Sequence, residues 1–144
     1  MSETHITSIK PVEIATPLAS PLYASQPAAG FPSPGDDLVE QPLDLNDLLI
    51  DNPTATFFVK VAGDSMEGAR IFDGDVLVVD RSVQARANMI VVAAVYGELV
   101  VKRLQKTASG LALCSENVNY APILIDDSEG CFIWGVVTGS ARVF

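Results

Sequence analysis

From Thr54 onward the hydrophobic positions fall into short runs rich in β-branched and aromatic residues, and Gly, Asp and Asn punctuate them. The runs are TFFVKV (56–61), DVLVVD (75–80), MIVVAAV (89–95), ELVVKRL (98–104), LALCS (111–115) and FIWGVVT (132–138). Runs of this composition and length predict strands. Their close spacing, with no helical stretch between them, predicts a compact, mainly β domain with largely antiparallel connections. Tyr96-Gly97 is placed as the tight turn of a hairpin, although Tyr is not the usual residue where a positive φ is wanted.

The first part of the chain has a different pattern. Six of the nine prolines fall within the first 34 residues, among Ser, Thr and Ala, and no periodicity persists. Residues 1–40 therefore read as an extended arm, flexible or laid along a surface, and residues 41–144 as the β-rich domain. The segment DDLVEQPLDLNDLLID (36–51) carries six acids and no bases. Within it Asp44 is suited to cap a short helix with Leu45, Leu48 and Leu49 as its apolar stripe, ended by Asn52-Pro53. The acids read as a solvated face or an acidic contact surface.

Length and composition narrow the function classes. A chain of 144 residues, 49% hydrophobic, has enough material for one domain with a modest core. No apolar run approaches the ~20 residues that span a bilayer, and the first twenty residues lack the apolar core of a secretory signal. Cys114 and Cys131 have no metal-ligand spacing and read as reduced thiols of a cytoplasmic protein. The formal net charge of −9 argues against stand-alone DNA binding, which rests on Lys and Arg contacts to phosphates. An action on DNA would run through a partner.

Candidate chemistry centres on AGDSMEGA (62–69), a Gly-Asp-Ser-Met turn directly after a strand. Such a turn displays a serine as a nucleophile would be displayed, and it is also an ordinary way to end a strand. A serine nucleophile needs a base. The only histidine, His5, lies in the segment read as an arm, which disfavours a Ser-His-Asp triad. A Ser-Lys pair is the alternative, with a lysine made neutral by burial. Lys10 and Lys106 fall in polar surroundings, and Lys60 precedes the turn. Lys102 is the better candidate, because period-2 alternation puts it on one strand face between Val100 and Leu104, with Val101 and Arg103 on the other. A solvated strand lysine is the competing reading. PAAGFPSP (27–34) offers small side chains in an extended segment, so Ala29-Gly30 is the natural bond if the chain cuts itself; the same residues also suit a linker. Asp73, Asp75 and Asp80 lack the alternating ligands and closing glutamate of an EF-hand, and no metal or cofactor is expected.

Taken together, AGFPSP (29–34), VEQPLDLNDLLI (39–50), PTATFFVKVAGDSM (53–66), DGDVLVVDRS (73–82), VVAAVYGELVVKRL (91–104) and WGVVT (134–138) resemble the LexA/UmuD family of self-cleaving serine peptidases, within it the UmuD branch. The serine turn and the Val-Lys-Arg-Leu strand, 37 residues apart, are specific as a pair. The resemblance implies Ser65 as nucleophile, Lys102 as general base, Ala29-Gly30 as the self-cleavage bond and the backbone N–H groups of Ser65 and Met66 as candidate oxyanion donors. It implies a small β domain with an N-terminal arm and a homodimer. It further implies cleavage stimulated by the RecA–single-stranded-DNA filament in the SOS response, and a shortened product that joins a UmuC-like Y-family polymerase subunit in error-prone translesion synthesis. Two departures stand out. The segment before Ala29 matches no known element of the family and is too short and Pro-rich for a helix-turn-helix domain. Asn88-Met89 replaces the Gly-Asp that usually precedes the next strand, which alters that turn. The rival function is a dimeric polymerase-binding or checkpoint module in which catalysis plays no required part.

Overall fold

The computed structural model describes residues 2–13, 34–125 and 130–144, and the backbone of Ala19–Ser20. The chain separates into two compact units, one comprising Met1–Val12 with Asn52–Phe144 and the other Glu13–Asp51.

The smaller unit pairs β2 (Ala19–Ser20) with β3 (Leu43–Asp44) and continues into helix α1 (Leu45–Leu49). The Asp44 carboxylate accepts the Asn46 N–H at 2.9 Å, the capping geometry expected from the sequence. Leu45 and Leu48 are exposed.

The larger unit is an antiparallel sheet built from β1 (His5–Pro11), β4 (Thr56–Ala62), β5 (Val76–Asp80), β6 (Ile90–Val95), β7 (Glu98–Thr107), β8 (Gly110–Cys114), β9 (Ile123–Leu124) and β10 (Phe132–Ala141). The strand order is β1-β4-β5-β10-β6-β7-β8-β9, and β1 also pairs with β7. That second pairing closes the first six strands into a barrel, which removes the two open edges they would otherwise expose. Every strand run read from the sequence is a strand here. The mainly β architecture of short antiparallel strands is the one expected.

The start of the chain requires a revision. Residues 5–11, read as part of one arm over 1–40, form β1 in the larger unit, registered from His5 opposite Ala62 to Pro11 opposite Phe57. β-Branched Thr4, Ile6, Thr7 and Ile9 favour extended backbone here, and Pro11 sits at the end of the strand, where a missing N–H is tolerated.

Two apolar clusters hold the sheet. Val59, Val61, Met66, Leu77, Val79, Val92 and Val101 form one, and Val91, Ala93, Leu104, Leu113 and Val136 the other. Alternation along β6 sends Val92 to the first cluster and its neighbours Val91 and Ala93 to the second. Strand β7 divides likewise between Val101 and Leu104, so the strand that carries Lys102 is buried on both faces. The β6–β7 hairpin turns on Tyr96 and Gly97, at φ 50° and 84°, the left-handed pair of a type I′ turn. Asn88 takes φ 75° before β6, a conformation that Asn tolerates better than most residues.

The acids singled out in the sequence are fastening points. Asp73 accepts the Gly63 N–H at 3.0 Å, and Asp80 accepts from Asn52 Nδ2 and from the backbone and hydroxyl of Ser82. Among the described residues no group of three or more His, Cys, Asp or Glu is arranged to hold a metal ion. Asp75 is buried and bonded by Arg142 at 2.7 and 3.0 Å.

The Arg142 hydrogen bonds hold the Asp75 carboxyl below the usual carboxylate range, against the opposing effect of burial. The stability this contributes is present above the ordinary carboxylate pKa and is lost as pH falls through the lowered one. Arg142→Leu should therefore lower the thermal midpoint near neutral pH, with the gap from the parent narrowing in strong acid. Melts across pH check this; a gap that stays constant would dismiss the ion pair as its source.

Candidate active site

Strand β4 ends at Ala62 in the Gly-Asp-Ser-Met turn. Gly63 has φ 107°, and a Cβ there would sit 2.3 Å from the Glu3 carbonyl oxygen. Glycine is thus required twice, by the backbone angle and by the passage of a second chain segment. Ser65 and Met66 follow, both 0% exposed. The short 3-10 turn Glu67–Ala69 then leads away, with Arg70 in the left-handed conformation that ends it.

Lys102, 1% exposed, lies opposite Val91 in the β6–β7 ladder and is among the largest fully buried side chains. Its Nζ donates to Ser115 Oγ at 2.7 Å and forms an ion pair with the Glu3 carboxylate. The Tyr120 ring centroid is 5.8 Å from Nζ. Burial pushes the Lys102 amine below the ordinary lysine pKa, offset in part by Cys114. Arg103, on the other face of β7, pairs with Glu116 and donates to the Asn88 carbonyl at 2.6 Å.

Two backbone segments bring Ser65 and Lys102 together. One follows β8: Glu116 N–H donates to the Ser65 carbonyl at 2.9 Å, while its neighbour Ser115 accepts from Lys102. Asn117 Nδ2 reaches the Asp64 carbonyl at 3.3 Å and the Tyr120 hydroxyl donates to Asp64 Oδ1 at 2.8 Å, fixing the same segment to the serine turn. The other segment is Ser2–Thr4. Asp64 N–H donates to the Ser2 carbonyl at 2.9 Å, and Thr4 N–H donates to Ser65 Oγ at 2.8 Å. Met66 N–H donates to Thr4 Oγ1 at 3.2 Å, and Val101 N–H to the Thr4 carbonyl at 2.9 Å. Adjacent residues Glu3 and Thr4 therefore touch Lys102 and Ser65 respectively. A serine hydroxyl, a buried amine and a backbone N–H converge on one extended strand, the equipment for acyl transfer to a peptide.

Comparison with known proteins decides the family. Residues 21–138 match the model described as Peptidase S24-like. The chain belongs to the Peptidase S24-like family, the LexA/UmuD self-cleaving serine peptidases. Protein MucA of Salmonella typhimurium is 46% identical over 121 residues, 83% of this chain and 82% of that protein. Protein ImpA of Salmonella typhimurium is 42% identical over 119 residues, 82% of this chain and 80% of that protein. The LexA repressor of Shewanella sediminis is 39% identical over 118 residues, covering 81% of this chain but 57% of the repressor.

Among the family residues inferred from sequence, Ser65 and Met66 bond Thr4 and Lys102 pairs with the adjacent Glu3, whereas Ala29 and Gly30 lie outside the described residues. Lys60, the alternative base, is exposed. His5 is held in β1 one residue from Thr4, not in an arm as its position suggested. Its Nδ1 engages the Glu3 carbonyl at 2.8 Å, so the argument against a triad now rests on what the ring bonds. Three residues at the S24 site were missed from sequence: Glu3 and Thr4, which fell in the supposed arm, and Ser115, which closed a run read only as strand.

Gly63→Ala should cost about 1–3 kcal/mol, since it places a Cβ both at a positive φ and against the Glu3 carbonyl. Urea unfolding measures this; an unchanged midpoint would mean that Ser2–Thr4 does not pass over the turn.

Proposed function

We propose that this chain is a self-cleaving serine peptidase of the SOS response to DNA damage, with Ser65 as nucleophile and Lys102 as general base. The observation that carries the reading is that adjacent residues bridge the two groups: Ser65 Oγ accepts the Thr4 backbone N–H, and Lys102 Nζ pairs with the Glu3 side-chain carboxylate. An extended peptide lying there meets both groups at once.

In this mechanism neutral Lys102 takes the Ser65 proton, and Oγ attacks the Ala29 carbonyl carbon. The tetrahedral intermediate places its oxyanion toward the Met66 N–H, a donor already aimed into the cleft, where it meets Thr4 Oγ1. Protonated Lys102 passes its proton to the Gly30 nitrogen as the Ala29–Gly30 bond breaks, and water then hydrolyses the Ala29 ester. The products are Met1–Ala29 and Gly30–Phe144. Ser115 positions the base: by accepting one N–H of the amine it orients the nitrogen lone pair toward Ser65.

The partners of this reading are a second copy of the chain, the RecA–single-stranded-DNA filament as stimulant, and a UmuC-like Y-family polymerase subunit for the shortened product. A net charge of −9 supports recognition through protein rather than direct DNA binding. Two free cysteines suit a cytoplasmic setting.

Ser65→Ala and Lys102→Ala should each give a folded chain that stays intact, read by mass after incubation with activated RecA or alone at alkaline pH. Cutting between residues 29 and 30 in either variant would refute the dyad, and an intact parent chain that still binds a polymerase would favour the non-catalytic module. Because the base works unprotonated and burial lowers its pKa, self-cleavage should rise with pH and level off below the ordinary lysine range. A rate flat from mild acid to strong alkali would remove Lys102 as the titrating base. Ser115→Ala should lower the plateau by roughly tenfold, about 1.4 kcal/mol, with Ser115→Thr restoring it; equal plateaus would deny Ser115 a positioning role.

A further inference from the structure

The serine peptidase cleft holds a peptide, and the peptide belongs to the chain itself. Ser2–Thr4 leads into β1, which closes the barrel between β4 and β7, with His5 opposite both Ala62 and Val100. Along this short stretch each reactive group of the cleft has a partner. Ser65 Oγ accepts from the Thr4 amide, Met66 N–H donates to Thr4 Oγ1, and Lys102 faces the buried Oε1 of Glu3. The flanking contacts are backbone bonds that any extended peptide forms: Asp64 N–H to the Ser2 carbonyl and Val101 N–H to the Thr4 carbonyl.

This segment is bound as an inhibitor is bound, not as a substrate. It presents an amide N–H, rather than a carbonyl carbon, to the Ser65 oxygen, whose lone pair is thereby occupied. It sets a carboxylate against the lysine, which favours the charged amine that cannot act as a base. Thr4 Oγ1 takes the N–H that an oxyanion would use. A carbonyl carbon of any other segment could meet Ser65 Oγ only where the Thr4 N–H now lies.

We propose that the cleft is a binding site for an extended peptide bearing a carboxylate opposite Lys102, and that Ser2–Thr4 occupies it as an intramolecular competitive inhibitor of self-cleavage. The proposal rests on the Ser65–Lys102 reading. The rate of cleavage is then the intrinsic rate multiplied by the fraction of molecules with Ser2–Thr4 unseated. Proton loss from Lys102 acts twice, generating the base and breaking the ion pair that seats Glu3. The groups facing the amine are Glu3 from the segment before β1, Cys114 at the end of β8, and Ser115 and the Tyr120 ring from the segment after it.

The test compares the full chain with a deletion of Ser2, Glu3 and Thr4, which retains the Ser8–Pro11 pairing with β4, and with Glu3→Gln, which retains the whole strand. First-order cleavage between residues 29 and 30 is followed by mass, without RecA. The deletion should cleave about tenfold faster or more, the gain expected if nine molecules in ten hold the seat. Glu3→Gln should also cleave faster, with its half-activation moved to lower pH. A synthetic peptide of residues 2–11 should slow the deletion variant again, and the same peptide with Glu3 and Thr4 replaced by Ala should not. Unchanged rates in a folded Glu3→Gln chain, or no slowing by the peptide, would overturn the proposal. Ser65→Ala in the deletion background separates the two levels. If it stops cleavage, the dyad stands whatever the gate does; if cleavage continues, the dyad reading fails.

Discussion

A lysine amine moved from water into a protein interior loses several kcal/mol of solvation per charge unless it is paired or gives up its proton. Lys102 is 1% exposed, in a strand buried on both faces, and the surrounding architecture answers that single constraint. Ser115 supplies one acceptor, Glu3 supplies a carboxylate, and Tyr120 adds a ring face at 5.8 Å. Two of these three come from the segment after β8, which is itself bonded to the serine turn through Glu116 and Asn117. The Gly63–Met66 turn and the groups around the Lys102 amine are thus one hydrogen-bonded structure. A change that frees the segment 115–120 loosens both.

The same constraint explains why the pocket tolerates an occupant. With Glu3 in place the amine is paired with a carboxylate. With Glu3 gone it is left with Ser115 and an aromatic face, and neutrality becomes the cheaper condition. Under the proposed competition the site has a resting form with the amine paired and a reactive form without that pair. This is the usual relation between stability and catalytic power at a desolvated base.

Much of the domain was legible in the residues because its rules are local. Period-2 alternation placed Val100, Lys102 and Leu104 on one face of β7, and the capping chemistry of Asp44 and the turn chemistry at Tyr96-Gly97 came from short-range preferences. Ser65 and Lys102 were found as a paired turn and strand, and in the fold they contact the neighbouring residues Thr4 and Glu3. What escaped was non-local. THITSIKP has β-branched residues, but its strand partners lie far along the chain, at the edges of β4 and β7. Glu3 and Ser115 carry no motif, since their role depends on a neighbour about a hundred residues away in one case and across a hairpin in the other. Gly63 was read as a turn residue, whereas the close passage of Glu3 makes glycine necessary there.

A protein whose substrate is part of its own chain faces a problem that ordinary enzymes do not. Tethering gives the scissile segment a high effective concentration at all times, so dilution offers no protection against premature cutting. An inhibitor supplied in trans would need to exceed that concentration, which is difficult for any partner at cellular abundance. An inhibitor supplied by the same chain competes on equal terms, because both segments are tethered to the same domain. The outcome then depends on the difference between two intramolecular seating energies, and not on the amount of protein. One ion pair, Glu3 with Lys102, and one neutral hydrogen bond, Thr4 N–H to Ser65 Oγ, stand on the Ser2–Thr4 side of that balance.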